Sequence, residues 1–225
     1  MPDRPMQPEG ISDNGTVSFT YGDATYETYY KRFGDLTSTQ IPLVVLHGGP
    51  GLVHDYLLPL AGLAEKHDIP VIFYDQLGNG RSSHISQKPA SFWYIDVFVE
   101  ELDNLIHKLA IQDKFNLLGH SWGAVLAIEY LIRKLPSGLT RLVLSNPLAS
   151  QRLWNLSNME LVKKFPQHVQ EGLRARTRDT QRYWEALNEY YAVHGCVVGS
   201  GREVFMKTVG QAIGPDGDPT VSNAQ

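Results

Sequence analysis

The sequence predicts an α/β fold: a mostly parallel sheet with helices on both faces, followed by a partial helical cap. Three observations carry that expectation. Short, continuous apolar runs recur four times before residue 150, amphipathic stretches separate them, and the connections between them are brief. A strand buried on both faces reads as an unbroken apolar run, and strand–helix–strand alternation with short links generates a parallel sheet.

The chain opens in a different grammar. Thr16-Val17-Ser18-Phe19-Thr20-Tyr21 meets Thr25-Tyr26-Glu27-Thr28-Tyr29-Tyr30 across Gly22-Asp23, which predicts a β-hairpin. Pro42-Leu43-Val44-Val45-Leu46 is then the first buried strand, residues 54–67 the first helix, and Val71-Ile72-Phe73-Tyr74 the second strand. Residues 92–109 predict a second helix, because Phe98, Leu102, Leu105 and Leu109 recur at spacings of three and four and so share one face. Phe115-Asn116-Leu117-Leu118 is the third strand. Its helix starts right after Ser121, carries Val125, Leu126, Ile128, Leu131, Ile132 and Leu135, and stops at Pro136-Ser137-Gly138. Leu142-Val143-Leu144 is the fourth strand. Past Asn146 the rhythm changes. Residues 157–194 read as helical, with Arg174, Arg176, Arg178 and Arg182 on a solvated face, and residues 199–225 give no buried-strand signal. The expected division is residues 1–150 as the sheet domain and 151–225 as a partial helical cap that does not return to the sheet.

Composition narrows the function. A net charge of −4 argues against nucleic acid or an anionic membrane as the main partner. No stretch approaches the roughly 18–20 apolar residues that a membrane span needs, and the polar, proline-rich Met1 to Gly10 does not read as a signal peptide. A cytoplasmic location is the default expectation. Cys196 is the single cysteine, so no internal disulfide is expected, and nothing near it resembles a metal-ligand set.

The chemistry is concentrated in three loops. Gly119-His120-Ser121-Trp122-Gly123 lies between an apolar strand and an amphipathic helix, the arrangement of a nucleophile elbow in an α/β-hydrolase fold. Small residues at 119 and 123 permit the strained turn that points Ser121 Oγ out of the sheet's carboxyl edge, at a helix N-terminus that favours developing negative charge. His47-Gly48-Gly49-Pro50-Gly51 follows the first buried strand, where this fold supplies an oxyanion donor. The backbone N–H groups of Gly49 and Trp122 are therefore assigned to the oxyanion hole, with Ser121 as the catalytic nucleophile. Asp75-Gln76-Leu77-Gly78-Asn79-Gly80-Arg81-Ser82 follows the second strand, and Asp75 and Arg81 are expected to hold that loop together. His47 and His120 are expected to shape the active-site loops, whereas His54, His67, His84 and His107 precede or flank surface helices and are expected to carry no role at the site. Only His168 and His194 follow Ser121. Asp179 with His194 is the one pair in the order Ser, acid, His, but both fall in one predicted helix.

These three motifs, in this order after successive strands, resemble the proline iminopeptidase (prolyl aminopeptidase) family of serine α/β-hydrolases, which shows HGGPG, then DQRGxGxS, then GxSWGG. The likeness spans roughly residues 40–150, with a weaker echo at Asp218-Pro219-Thr220-Val221. Leu77 stands where the family has arginine, and Ala124 where it has a second glycine. The resemblance implies release of N-terminal proline from a small peptide or amide through an acyl-enzyme, with no metal and no organic cofactor. It also implies that the sheet resumes after the cap and that the catalytic Asp and His follow the last strands. The expectation is thus a fold with its last strands missing, an exposed edge at Leu142-Val143-Leu144, and a chain that is inactive or nearly so. Loss of the histidine costs on the order of a millionfold in turnover in one serine protease. The alternatives are an enzyme for another amide or an ester, and a non-catalytic scaffold remnant. Epoxide hydrolase or dehalogenase chemistry is disfavoured, since those relatives carry Asp where Ser121 stands.

Overall fold

A computed structural model describes residues 12–197 and 199–224. The segment Met1 to Gly10, read above as no signal peptide, lies outside them. Among the described residues the chain forms two compact units, one ending at Pro147 and rejoined by Thr220–Ala224, the other running from Leu148 to Pro219.

The first unit is built on six strands: β1 (Ser12–Tyr21), β2 (Ala24–Phe33), β3 (Leu43–Leu46), β4 (Val71–Tyr74), β5 (Phe115–His120) and β6 (Leu139–Ser145), in the spatial order β1-β2-β4-β3-β5-β6. β1 and β2 are the predicted hairpin, with Tyr21 opposite Ala24 across a two-residue turn. β2 adds antiparallel to β4, while β4, β3, β5 and β6 run parallel. Every residue of β3 and β4 is buried. Their side chains alternate between two cores, as the period of two in a strand requires. Val44, Leu46, Ile72, Tyr74 and Leu117 face one core, with Phe98, Leu102 and Leu105 of α2 (Ile95–Lys108) and Leu126 and Tyr130 of α3 (Trp122–Lys134). Leu43, Val45, Val71 and Phe73 face the other, against Leu57, Leu60 and Leu63. The sheet is thus covered on both faces, and each large side chain so buried contributes about 1.5–3 kcal/mol. β6 is the edge of the described sheet, and Val143 and Leu144 on it are exposed.

Three elements differ from the sequence reading. Residues 54–67 are not one α-helix but a 3₁₀ stretch His54–Ala61 followed by α1 (Gly62–His67). Pro59 lies inside the 3₁₀ stretch, has no N–H to donate, and obstructs α-helical bonding around it. The helix read at 92–109 begins later, after the 3₁₀ turn Ala90–Trp93. Residues 199–225, read as lacking strands and given no helix, form α7 (Gly199–Ile213) and α8 (Thr220–Ala224).

α8 belongs to the sheet unit rather than to the helical region that sequence assigned to 151–225. Val221 is buried in the main core beside Trp93 and Gly78. The remaining helices, α4 (Gln151–Val162), α5 (Gln167–Ala175), α6 (Thr180–His194) and α7, make the second unit. α5 and α6 pack closely because Gly172 leaves room for Ala186, and Phe165 packs on Tyr190. Among the described residues no helix is long and apolar enough to cross a membrane.

Candidate active site

β5 ends at His120 and α3 begins at Trp122, so Ser121 occupies the sharp turn between them, with φ 54° and ψ −118°. That conformation is costly for a residue with a side chain, on the order of 1–3 kcal/mol, and it persists only where the surroundings over-determine it. The surroundings here are backbone. A Cβ on Gly119 would collide with the Gly123 carbonyl, and one on Gly123 would collide with the carbonyls of Leu46 and His47. The elbow is therefore pressed against the end of β3, and the Ser121 N–H is anchored to Ser145 O of β6 at 2.9 Å. The first N–H groups of α3, Trp122 included, have no partner within the helix.

The glycine loop after β3 closes on the elbow from one side. Gly48 lies so near His120 that a Cβ there would be 3.2 Å from both its Nδ1 and its carbonyl oxygen. The Gly48 N–H is already committed, donating to Tyr56 Oη at 2.8 Å. Gly49 has φ 129°, and a Cβ would meet the Gly51 and Leu52 nitrogens, so only glycine fits. Ser121, Gly49 and Trp122, chosen from sequence, thus belong to segments that pack together in the sheet unit.

The Asp75–Ser82 loop supports this site from beneath. The Asp75 carboxylate is fully buried and accepts from His54 Nδ1 at 2.7 Å, from His54 N–H at 3.2 Å and from Arg81 N–H at 3.0 Å. Burial pushes its pKa up, but the hydrogen bond and charge of His54 outweigh that and hold it below the usual carboxylate range. Asp75 therefore does hold the loop. His54, expected to carry no role at the site, is corrected: it is 1% exposed and is the main partner of Asp75. The pairing arises because the 3₁₀ stretch starting at His54 turns its first residue under the sheet edge, a tertiary event with no local signature.

Glu101 on α2 is the other group the sequence reading missed. It is fully buried, accepting from Thr28 Oγ1 at 2.6 Å and from the Leu77 N–H at 3.0 Å. A signal was available. Glu101 lies three residues after Phe98 and four before Leu105, on the apolar face of its own helix.

The histidines near Ser121 have settled roles. His47 is buried; its Nε2 accepts from the Gln76 N–H at 3.0 Å, so its proton sits on Nδ1, which donates to Gly48 O at 2.9 Å. Burial depresses it to about 4, and the ring is neutral. Burial also lowers His120, whose Nδ1 accepts from the Tyr56 hydroxyl at 2.7 Å. Asp179 caps the start of α6 through the Arg182 N–H, while His194 is that helix's last residue, so this pair does not form. His168 pairs with Glu189 at 3.0 Å. Cys196 is a free, partly exposed thiol. Among the described residues no three His, Cys, Asp or Glu side chains converge as a metal site would require.

A model of the alpha/beta hydrolase fold family matches residues 41–187. The crystal structure of a proline iminopeptidase from Mycobacterium smegmatis is 34% identical, covers 93% of this chain and 70% of that one, and superposes with a TM-score of 0.74. This chain belongs to the proline iminopeptidase family of α/β-hydrolases. The crystal structure of VinJ is 39% identical over the same shares of the two chains, with a TM-score of 0.80. A proline iminopeptidase from Lactobacillus delbrueckii subsp. lactis is 39% identical over 149 residues, which is 66% of this chain and 50% of that protein. The chain spans about half the length of the curated relatives it matches. Both departures from the family pattern are buried: Leu77 joins the main core while Glu101 holds its N–H, and Ala124 packs against Gly119.

Proposed function

We propose that this chain carries the nucleophile and oxyanion hole of a serine hydrolase of the proline iminopeptidase type, releasing N-terminal proline from small peptides or amides. The observation that supports this best is the strained Ser121 turn, held open by Gly119 and Gly123 at the start of α3. Ser121 Oγ attacks the carbonyl carbon of an N-terminal prolyl residue while its proton passes to a base. The N–H groups of Gly49 and Trp122 stabilise the oxyanion, the C–N bond breaks as the amine takes a proton, and water then hydrolyses the ester.

The weak point of this machinery is the base. Among the described residues no imidazole is hydrogen-bonded to Ser121 Oγ, and His47, His54 and His120 each have a ring nitrogen committed elsewhere. The polypeptide by itself is therefore expected to turn over slowly. Purified protein and its Ser121→Ala variant are compared with a proline arylamide and with a fluorophosphonate probe. Slow labelling that vanishes in the variant supports the assignment. Equal labelling of both removes Ser121 as nucleophile, and rapid Ser121-dependent turnover overturns the expectation of low activity.

A further inference from the structure

Two side chains outside the nucleophile motif span the gap between the glycine loop and the elbow, one on each side of Ser121. Gln76 donates from Nε2 to the His47 carbonyl at 3.1 Å and accepts at Oε1 from the Trp122 indole at 3.2 Å. Its own N–H holds the His47 ring, and the residue is fully buried. Tyr56 accepts the Gly48 N–H at 2.8 Å and hydrogen-bonds His120 Nδ1 at 2.7 Å. Residues 47 and 48, which lead into Gly49, are thus tied to residues 122 and 120, which flank Ser121.

We infer that Gln76 and Tyr56 are positioning residues that set the separation between the two oxyanion donors. The inference rests on the assignment of Ser121, Gly49 and Trp122 made above. Each brace needs a group that donates in one direction and accepts in the other, which a primary amide and a hydroxyl both do. Tyr56 also absorbs the Gly48 N–H and so withdraws it from any substrate oxygen, whereas the Gly49 N–H has no acceptor among the described residues. Donors aimed at an oxyanion act on the tetrahedral state and not on a bound planar carbonyl, because stabilisation depends on a fixed spacing that only the tetrahedral oxygen meets. Loosening a brace therefore weakens binding of a tetrahedral adduct selectively.

The test uses pyrrolidine-2-boronic acid, whose boron forms a bond to Ser121 Oγ as the hydroxyl proton leaves to buffer, giving a tetrahedral boronate. L-Prolinamide serves as the planar counterpart. Affinities for both are measured by calorimetry on the full chain, on Gln76→Met, on Tyr56→Phe and on Ser121→Ala, each checked for its fold by circular dichroism. Gln76→Met and Tyr56→Phe are each expected to weaken the boronate about tenfold or more while leaving L-prolinamide within about twofold. Having two variants on opposite sides of the elbow keeps the test decisive if Gln76→Met does not fold. Unchanged boronate affinity in both, or equal loss for both ligands, overturns the brace. Boronate binding that survives Ser121→Ala, or fails in the unaltered chain, overturns the nucleophile assignment and the inference with it.

Discussion

Replacing Glu101 by glutamine should stabilise this protein, and increasingly so as the solution becomes alkaline. Burial raises the Glu101 carboxyl from 4.5 to about 8, against the opposing pull of hydrogen bonds from Leu77 and Thr28. In the unfolded chain the group ionises near 4.5, so between 4.5 and 8 the folded chain retains a proton that the unfolded chain has lost. Its contribution is fully present below about pH 4.5 and is lost as the pH climbs through 8. At about 1.4 kcal/mol per pH unit the complete loss approaches about 5 kcal/mol. Glutamine has nothing to ionise, yet its amide can donate to Thr28 Oγ1 and accept from the Leu77 N–H. Urea unfolding followed by circular dichroism, from about pH 5 to about pH 9, is expected to show Glu101→Gln gaining about 4 kcal/mol relative to the parent across that range. Glu101→Leu likewise cannot ionise and follows the same pH dependence, but it strands a hydroxyl and an N–H and so lies about 2–4 kcal/mol below Glu101→Gln at every pH. If parent and Glu101→Gln give parallel stability curves, the carboxyl does not hold its proton inside the fold and the reasoning fails.

Two further outcomes follow from the same packing. Gly123→Ala drives a methyl into the Leu46 and His47 carbonyls and should abolish the folded sheet unit, whereas Gly62→Ala meets open space at helical geometry and should stabilise by about 0.5–1 kcal/mol. Thermal melts of the pair decide it; a Gly123→Ala protein that melts like the parent refutes the close approach. His47 behaves oppositely to Glu101: with its folded value near 4, stability from this group is present above about 6.5 and is lost as the pH falls toward 4. Its ring proton resonance should stay flat from about pH 8 to about pH 5, and a folded-state midpoint near 6.5 would count against the Gln76–His47 bond.

The parts of this fold that sequence reveals are those whose signal is local. Val71-Ile72-Phe73-Tyr74 is unbroken apolar because both its faces are covered, and the structure gives that strand the same bounds. Gly22-Asp23 marks the hairpin because a two-residue turn needs a positive φ, which Gly22 adopts. Strand order was not legible, since nothing in β2 announces that it pairs with β4 rather than β3. The site divides in the same way. Ser121 and its two glycines form one contiguous motif, whereas His54 with Asp75, and Gln76 with Trp122, meet across 21 and 46 residues of chain. Polar residues in such pairs look like any loop polar residue until the loops are folded together. Glu101 falls between these cases: helical phase placed it on the apolar face, and the habit of reading glutamate as exposed hid it.

The Ser121 turn has an evolutionary consequence. The constraints that shape it are backbone ones: Gly119, Gly123, the carbonyls of Leu46 and His47, and the Ser121 N–H held by Ser145 O. Geometry and reactivity are therefore encoded at different positions. Selection can exchange the attacking atom at residue 121 for a sulfur or a carboxylate in a single substitution without redesigning the bend that presents it. A change at either flanking glycine forfeits the bend whatever stands between them. A lineage built on this turn is free to change its chemistry much more readily than its shape.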